Sequence, residues 1–196
     1  MKHWTLLTGI LALAAPLALA QPSSQVTTWT SDQRHSEVDF SIRHMSVSNV
    51  HGRIGDVAAT IVLNGADITK STVTATIGVS TIDTGVAARD ADLKSAGFFD
   101  IAKFPTATFT STSVAKSAGD LLVTGNLTLH GVTQPVVLVV TGPSGPVMGM
   151  MDHKPHAGFS ASTTLSRAAF GIGAKYPAAL IGDQVNLTLD LELIQQ

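Results

Sequence analysis

The side chains best suited to metal chemistry form one short run in the C-terminal third of the chain. Met148, Met150, Met151, His153 and His156 offer thioether and imidazole groups, a combination that suits copper. The same run is typical of a flexible loop at the rim of a fold, in which Met side chains fill gaps in the packing. The sequence favours the loop over the copper site, and we predict no bound metal ion and no cofactor.

Three further histidines lie nearer the start of the chain without the spacing of a metal site. His35, His44 and His51 are separated by nine and seven residues, which is not a standard ligand spacing. We interpret them as residues at strand ends or in turns. The chain has no Cys, which excludes a disulfide, a thiolate metal site and a Cys nucleophile.

Motifs for catalysis are weak. Ser113 and Lys116 match the S-x-x-K pattern of serine acyltransferases, but the S-D-N and K-T-G motifs that accompany it are absent from the sequence. The sequence also lacks a G-x-S-x-G elbow and an H-E-x-x-H helix. Arg89 and Asp90 are better explained as a structural ion pair or a loop anchor. We predict that the protein is not an enzyme.

Composition and the N-terminal residues limit the partners of the chain. The 196 residues carry a formal net charge of −2 without a basic cluster, which argues against a nucleic-acid partner. Residues 1–20 have the positive end, apolar run and small-x-small site of a cleavable secretory signal peptide, and so predict export to the periplasm. Residues 21–196 are predicted to form one domain, because no linker or repeat divides them.

Most of this domain has the pattern of β-strands. Apolar residues alternate with Thr, Ser and Asn at a period of two, as in the runs from Val73 to Val79 and from Val185 to Leu193. A third predicted strand runs from Ile54 to Leu63. The pattern predicts an all-β protein, either an antiparallel sandwich or a single antiparallel β-barrel of about eight strands.

Residues 80–116 interrupt the strand pattern. Ser80 to Thr84 is predicted to end one strand, and Thr106 to begin another, with a short helix from Arg89 to Ala96 between them. Three aromatic residues follow this helix and need an apolar environment: Phe98, Phe99 and Phe104. The sequence leaves two arrangements equally open, a connection that caps the mouth of a barrel and a helix packed on the outside of a sandwich.

The interior of a barrel decides what it can hold. Inward candidates such as Ala59, Ala75 and Ala161 are small, whereas a packed core usually takes bulkier side chains. We therefore favour an open apolar tunnel over a filled core. An outer-membrane barrel would show the same period, but it needs aromatic girdles, and residues 21–196 contain one Trp and one Tyr. The apolar faces are therefore expected to point inward.

Four groups of motifs follow one another along almost the whole of residues 21–196. They are His35-Ser36-x-Val38-x-Phe40-x-Ile42-x-His44-Met45, Thr81-x-Asp83-Thr84 with Arg89-Asp90 and Phe98-Phe99-Asp100, Gly125-x-Leu127-Thr128-Leu129-x-Gly131, and Gly158-Phe159-Ser160-Ala161 with Arg167 and Phe170-Gly171. Each group is weak alone. As an ordered set they resemble the YceI-like family of exported polyisoprenoid-binding proteins.

This resemblance implies a lipocalin-like barrel around an elongated apolar tunnel that binds a long isoprenoid lipid, such as a quinone or polyprenol tail, in the periplasm. It implies no settled catalytic activity. Two stretches depart from the family pattern. Residues 85–88 replace a more polar approach to Arg89, and Ala168-Ala169 stands where a Ser or Thr and an Asp often occur. Both departures concern the polar end of a ligand rather than its tail.

The sequence and the resemblance together predict a single lipocalin-like barrel with a short helix and loop cap, which carries or stores an isoprenoid lipid. The predicted binding residues are Phe40, Ile42, Ile77, Phe109, Leu127, Leu138, Phe159 and Leu189 in the tunnel and Phe98, Phe99 and Phe104 in the cap. If the strands faced the other way, the residues predicted to line the tunnel would lie on the surface. The alternatives are an enzyme acting on a bound lipid and a structural or stress protein with a filled barrel. Transient membrane contact and a homodimer are left open.

Overall fold

The computed structural model describes residues 25–196, and the predicted signal peptide, residues 1–20, lies outside this part. The strands are β1 (Val26–Ser31), β2 (Glu37–His44), β3 (Ser48–Ile54), β4 (Val57–Asn64), β5 (Thr72–Gly78), β6 (Thr106–Ser117), β7 (Asp120–Leu129), β8 (Val132–Met148), β9 (Pro155–Ser166) and β10 (Ile181–Gln195). The α-helix α1 spans Ala87–Lys94, and short 3-10 turns occur at Ile68–Lys70, Val79–Thr81 and Ala168–Phe170. Within residues 25–196, no helix has the length and apolar character needed to cross a membrane.

Eight of the strands close into an antiparallel barrel. The sheet runs in the order β1-β4-β5-β6-β7-β8-β9-β10, and β10 pairs back with β1 to complete the ring. The β2–β3 hairpin pairs with the part of the same β10 edge that β1 does not reach. This arrangement confirms the predicted all-β class and the single barrel of about eight strands, and it excludes the sandwich.

Two strands share one edge of β10. Val185 to Asp190 pairs with β2, whereas Leu193 to Gln195 pairs with β1. The chain crosses from β1 to β2 at the level of Glu192, whose carbonyl accepts the Asp32 N–H at 2.8 Å and whose N–H donates to Ser36 Oγ at 3.1 Å. The crossover residues therefore continue the hydrogen bonding of this edge where neither strand reaches.

The strands turn their apolar faces inward, which settles the facing that alternation alone left open. On β5, Val73, Ala75 and Ile77 line the barrel interior, while the three Thr residues between and before them are exposed. On β6, Phe109 and Val114 both face the interior although they are five positions apart, an odd spacing that a regular strand would place on opposite faces. A β-bulge between Ser111 and Ser113 adds the residue that returns Val114 to the interior.

Two predicted strands are wrong in extent. The predicted strand from Ile54 to Leu63 is divided at residues 55–56, because Ile54 ends β3 and pairs with β2, whereas β4 begins at Val57 and pairs with β5. The predicted strand end at Ser80 to Thr84 is a 3-10 turn followed by a short bridge between Asp83 and Arg53. The rest of β3, residues 48–53, was missed, because β3 is a half-exposed outer strand with few apolar residues.

The helix α1 and its flanking residues form a cap over one end of the barrel, and α1 lies within two residues of its predicted start and end. Thr84 is the point to which the cap is fastened. Asp90 accepts the Thr84 N–H at 2.9 Å, and Arg89 donates from Nε to Thr84 Oγ1 at 2.7 Å and from Nη2 to the Thr84 carbonyl at 2.9 Å. Arg89 and Asp90 thus act together as anchors of this loop.

A buried arginine fixes the second loop at the same end of the barrel. Arg167 is 6 % exposed, and its guanidinium donates to five backbone carbonyls. The accepting residues are Ile172, Gly173, Tyr176, Ile181 and Gly182, at 2.7 to 3.0 Å. Three of these carbonyls belong to the loop before β10 and two to the first residues of β10, so Arg167 defines the path of residues 167–182.

Substituting Arg167→Ala is expected to lower the free energy of unfolding by at least about 3 kcal/mol, because a hydrogen bond to a charged group is worth roughly 1.5–3 kcal/mol and several buried carbonyls would lose their partners. Arg34→Ala is the matched control, since Arg34 is 82 % exposed in an ion pair worth about 0–1 kcal/mol. Equilibrium urea unfolding measures both. Equal losses in the two variants would contradict the anchoring role of Arg167.

The Asp90 anchor predicts a loss of stability in acid. The hydrogen bonds from Thr84 hold the pKa of Asp90 below its ordinary value of 3.8. Since the folded-state pKa is the lower one, the ionised carboxylate contributes stability above the ordinary pKa, and this contribution is lost as the pH falls through the lowered pKa. The difference in unfolding free energy between the wild type and Asp90→Asn should shrink over this acid range.

This pH dependence is measured by urea unfolding at a series of pH values. Thr84→Val supplies the control, because it removes the hydroxyl that is the main cause of the lowered pKa of Asp90. In the Thr84→Val background, Asp90→Asn should have an effect that depends less on pH. An undiminished pH dependence in that background would show that the Thr84 hydroxyl is not the group that lowers the pKa of Asp90.

Candidate functional site

The barrel opens beneath the cap into an outer cavity of about 440 Å³. Its walls come from the mouth halves of the strands and the β2–β3 hairpin, including Ile42 and Val50. Its roof comes from Leu93 on α1 and from the loop held by Arg167, which contributes Phe170 and Ile172. This volume lies within the roughly 300–1,000 Å³ typical of small-molecule sites.

A second, deeper cavity of about 120 Å³ continues into the barrel. Apart from Ser71 and Thr163, its lining is apolar. Val38, Ile77, Leu127 and Leu187 line both cavities, so the outer and deep cavities adjoin along one layer of side chains. The deep cavity approaches the ~150 Å³ of an engineered cavity that binds benzene, and it gives room for a slim stretch of hydrocarbon.

Two glycines let large aromatic rings lie flat against the barrel wall. A Cβ on Gly125 would stand 2.4 Å from the Phe109 ring, and a Cβ on Gly52 would stand 2.4 Å from the Phe40 ring. Both distances are far below van der Waals contact. Because these rings occupy the space of missing side chains, they take up less of the hollow at the centre of the barrel.

The structure brings most of the predicted binding residues to this hollow. The outer cavity is lined by Phe40, Ile42, Phe98 and Phe99. Both cavities are lined by Ile77 and Leu127. The deep cavity is lined by Phe109, Leu138, Phe159 and Leu189. Phe104 lies elsewhere, edge-on to the His130 ring with 4.9 Å between ring centroids and against Gly131. Phe104 thus packs against the turn between β7 and β8 and not into the hollow, and the binding role of the other residues stays a prediction.

The polar rim of the outer cavity was predicted only in part. Arg43, His44, Arg89, Asp92 and Tyr176 all contribute to its lining. Of these, His44 and Arg89 belong to recognised motifs. Arg43 lies near the end of β2, Asp92 on α1 and Tyr176 in the loop before β10, where strand alternation carries no information on facing. The Tyr176 ring stacks on Phe98, with centroids 5.1 Å apart. The outer cavity therefore combines apolar walls with polar groups at its opening, an arrangement suited to an amphiphile.

The other sequence-predicted chemistry lies away from this hollow. The run of Met and His residues forms the tip of the β8–β9 hairpin, where Met150 and Met151 are 93 % and 97 % exposed. His156 does not face these thioethers but bonds to Glu192 and Asp152. Ser113 and Lys116 lie three residues apart on β6, which directs their side chains to opposite faces of the strand.

Comparison with solved structures places the barrel among known folds. The crystal structure of Burkholderia cenocepacia BcnA superposes with a TM-score of 0.73 at 22 % identity, covering 83 % of this chain and 98 % of that chain. A polyisoprenoid binding domain from Saccharophagus degradans superposes with a TM-score of 0.63 at 16 % identity, covering 88 % of this chain and 100 % of that chain. At these identities the likeness concerns the fold.

Sequence comparison extends the likeness to a family. Protein YceI of Salmonella newport is 38 % identical over 166 residues, which is 83 % of each chain. The family model described as the YceI-like domain matches residues 29–193. These limits correspond to Trp29 in β1 and Leu193 in β10, so the match spans the strands that close the ring, the cap and the lining of both cavities. This chain is therefore a member of the YceI-like family.

Proposed function

We propose that the protein binds a long isoprenoid lipid, of the quinone or polyprenol type, inside the barrel. The observation that carries the proposal is the hollow of two adjoining cavities, about 440 Å³ and 120 Å³, with almost wholly apolar walls and polar groups at the opening. The tail would extend from Ile77 and Leu127 into the deep cavity. The polar end would remain beside Arg43, Arg89 and Tyr176.

Two further observations support this ligand class. The Saccharophagus degradans protein with the same fold is described as a polyisoprenoid binding domain. The predicted signal peptide would deliver the chain to the periplasm, between two membranes that hold such lipids. A filled barrel is disfavoured, because the core side chains leave a hollow in the centre.

The energetics favour a carrier or buffer over an irreversible store. Removing one methylene group from water gains about 0.8 kcal/mol, so a five-carbon unit gains roughly 4 kcal/mol on entering the cavity from water. A lipid arriving from a bilayer leaves an equally apolar environment, and its transfer free energy is therefore nearly balanced. Binding of this kind is reversible and depends on the concentration of lipid in the donor and acceptor membranes.

Protein purified without detergent is expected to contain isoprenoid lipid, because the apolar hollow favours a hydrocarbon over water. Solvent extraction followed by mass spectrometry would identify the lipid and its amount relative to protein. The extract should contain one dominant isoprenoid class in near-stoichiometric amount. An extract with only mixed phospholipid fatty chains, or with no lipid, would refute the proposal.

A substitution on the inward face tests where the tail lies. Ala161 lines the deep cavity, whereas its neighbour Ser162 faces outward and is exposed. Ala161→Leu should fill much of the deep cavity and lower the amount of co-purified lipid at least about 10-fold. The larger side chain should lower the free energy of unfolding by no more than about 3 kcal/mol. Ser162→Leu is the matched control and should retain the lipid. Unchanged lipid content in Ala161→Leu would place the tail outside the deep cavity.

A further inference from the structure

Carboxylate and imidazole groups gather where the chain crosses from β1 to β2. Asp32, His35 and Glu192 each place one ligand atom within 4.8 Å of the other two. We propose that these three residues bind a divalent first-row transition metal ion, with Zn²⁺ as the reference ion. Histidine nitrogen and carboxylate oxygen are both common zinc ligands, and three protein ligands leave one position open in a tetrahedral site. The proposal does not depend on what the barrel holds.

The distances between the ligand atoms suit such an ion. His35 Nδ1 lies 3.1 Å from Asp32 Oδ2 and 3.6 Å from Glu192 Oε2. Zinc bonds of about 2.0–2.2 Å in a tetrahedral arrangement place neighbouring ligand atoms roughly 3.3–3.6 Å apart. The three side chains therefore need little movement to bind the ion, which would take the place of the present contacts between His35 and the two carboxylates.

The backbone holds these ligands in fixed positions. Asp32 and Glu192 are joined by a backbone hydrogen bond of 2.8 Å, and Ser36 Oγ bonds to the Glu192 N–H at 3.1 Å. Glu192 itself lies within β10, paired on its other side with Gly158 of β9. Asp32 and His35 lie in the short crossover between β1 and β2, and these hydrogen bonds tie the crossover to the paired strand that carries Glu192.

A second imidazole orients the Glu192 carboxylate. His156 Nδ1 lies 2.7 Å from Glu192 Oε1, and His156 Nε2 lies 3.0 Å from Asp152 Oδ2. With Oε1 held in this way, Glu192 directs Oε2 towards His35. Hydrogen bonds of this kind to a ligating carboxylate commonly change metal affinity by 10–100-fold. We assign His156 as a positioning residue of the site.

Arg34 is the group that a metal ion must displace from Asp32. Its Nε and Nη2 donate to the two carboxylate oxygens of Asp32 at 3.2 and 3.1 Å. The Arg34 side chain is 82 % exposed, so it can turn into solvent when a divalent cation takes its place. The His35 side chain is 58 % exposed, and a surface groove lined by His35, His156 and Glu192 gives access to the ligands.

The test is a Zn²⁺ titration of chelator-treated full-length protein in competition with a fluorescent zinc indicator. Wild type should bind one equivalent saturably. His35→Gln should weaken binding at least about 100-fold. Because the His35 side chain is exposed, this substitution should not disturb the fold. His156→Gln should weaken binding by about 10–100-fold. Co²⁺ should give the intense visible absorption of a four-coordinate site in wild type and not in His35→Gln.

Two controls separate this site from other ligands on the chain. His51→Gln changes an exposed histidine on β3 and should leave the affinity unchanged. The double substitution Met150→Ala/Met151→Ala removes the exposed thioethers of the hairpin tip and should also leave it unchanged. The proposal is overturned if wild type shows no saturable binding, if His35→Gln binds as tightly as wild type, or if the Met variant alone loses binding.

Discussion

The shared edge of β10 is the constraint from which the shape of the hollow follows. A strand offers one row of backbone hydrogen-bonding groups on each edge, and buried groups of this kind must be paired. On β10 this row is divided, because β2 takes the part nearest the cap and β1 takes the last residues. The ring is therefore completed by β1 at the deep end and widened by the β2–β3 hairpin at the mouth. This division explains why a narrow deep cavity adjoins a wide outer one.

The cap is held differently from the barrel that it covers. The barrel depends on strand pairing and on apolar side chains directed inward, whereas the cap is held by polar contacts at Thr84. α1 has no fully buried residue. Elements with few buried apolar contacts open at a lower free-energy cost than core strands. The end of the barrel through which an apolar molecule would enter is thus also the part that can move without disturbing the closed ring.

The sequence predicted the parts of the fold that repeat and missed those that depend on contacts between distant residues. The period of two was enough to predict an antiparallel sandwich or a barrel of about eight strands, and the family resemblance favoured the barrel. The turn and helix signals located α1. The bulge in β6 was beyond prediction, because alternation shows that Phe109 and Val114 are out of phase but not where the extra residue lies. β3 was missed because its residues are polar, and its strand structure comes from pairing with β2.

The same distinction applies to the sites. Inward residues such as Ile77 and Leu127 follow from the alternation once the facing is known, so the apolar lining was largely accessible from sequence. The family motif places Arg167 without revealing its partners, which are carbonyls of a loop with no pattern of its own. Asp32 and Glu192 are far apart in sequence and meet through strand order alone. Polar constellations assembled by topology remain hidden until the strands are paired.

The dimensions of the hollow place a physical limit on the ligand. The outer cavity has room for a bulky group beside the polar rim, but the deep cavity is smaller, and Phe109 and Phe159 occupy part of its wall. A tail longer than the present deep cavity can be accommodated only if such side chains change rotamer, and each change in a close-packed interior has a free-energy cost. Each methylene that enters still gains about 0.8 kcal/mol relative to water. The length of tail that the protein prefers is therefore set where the cost of moving the next aromatic ring equals the gain from burying the next carbon atoms.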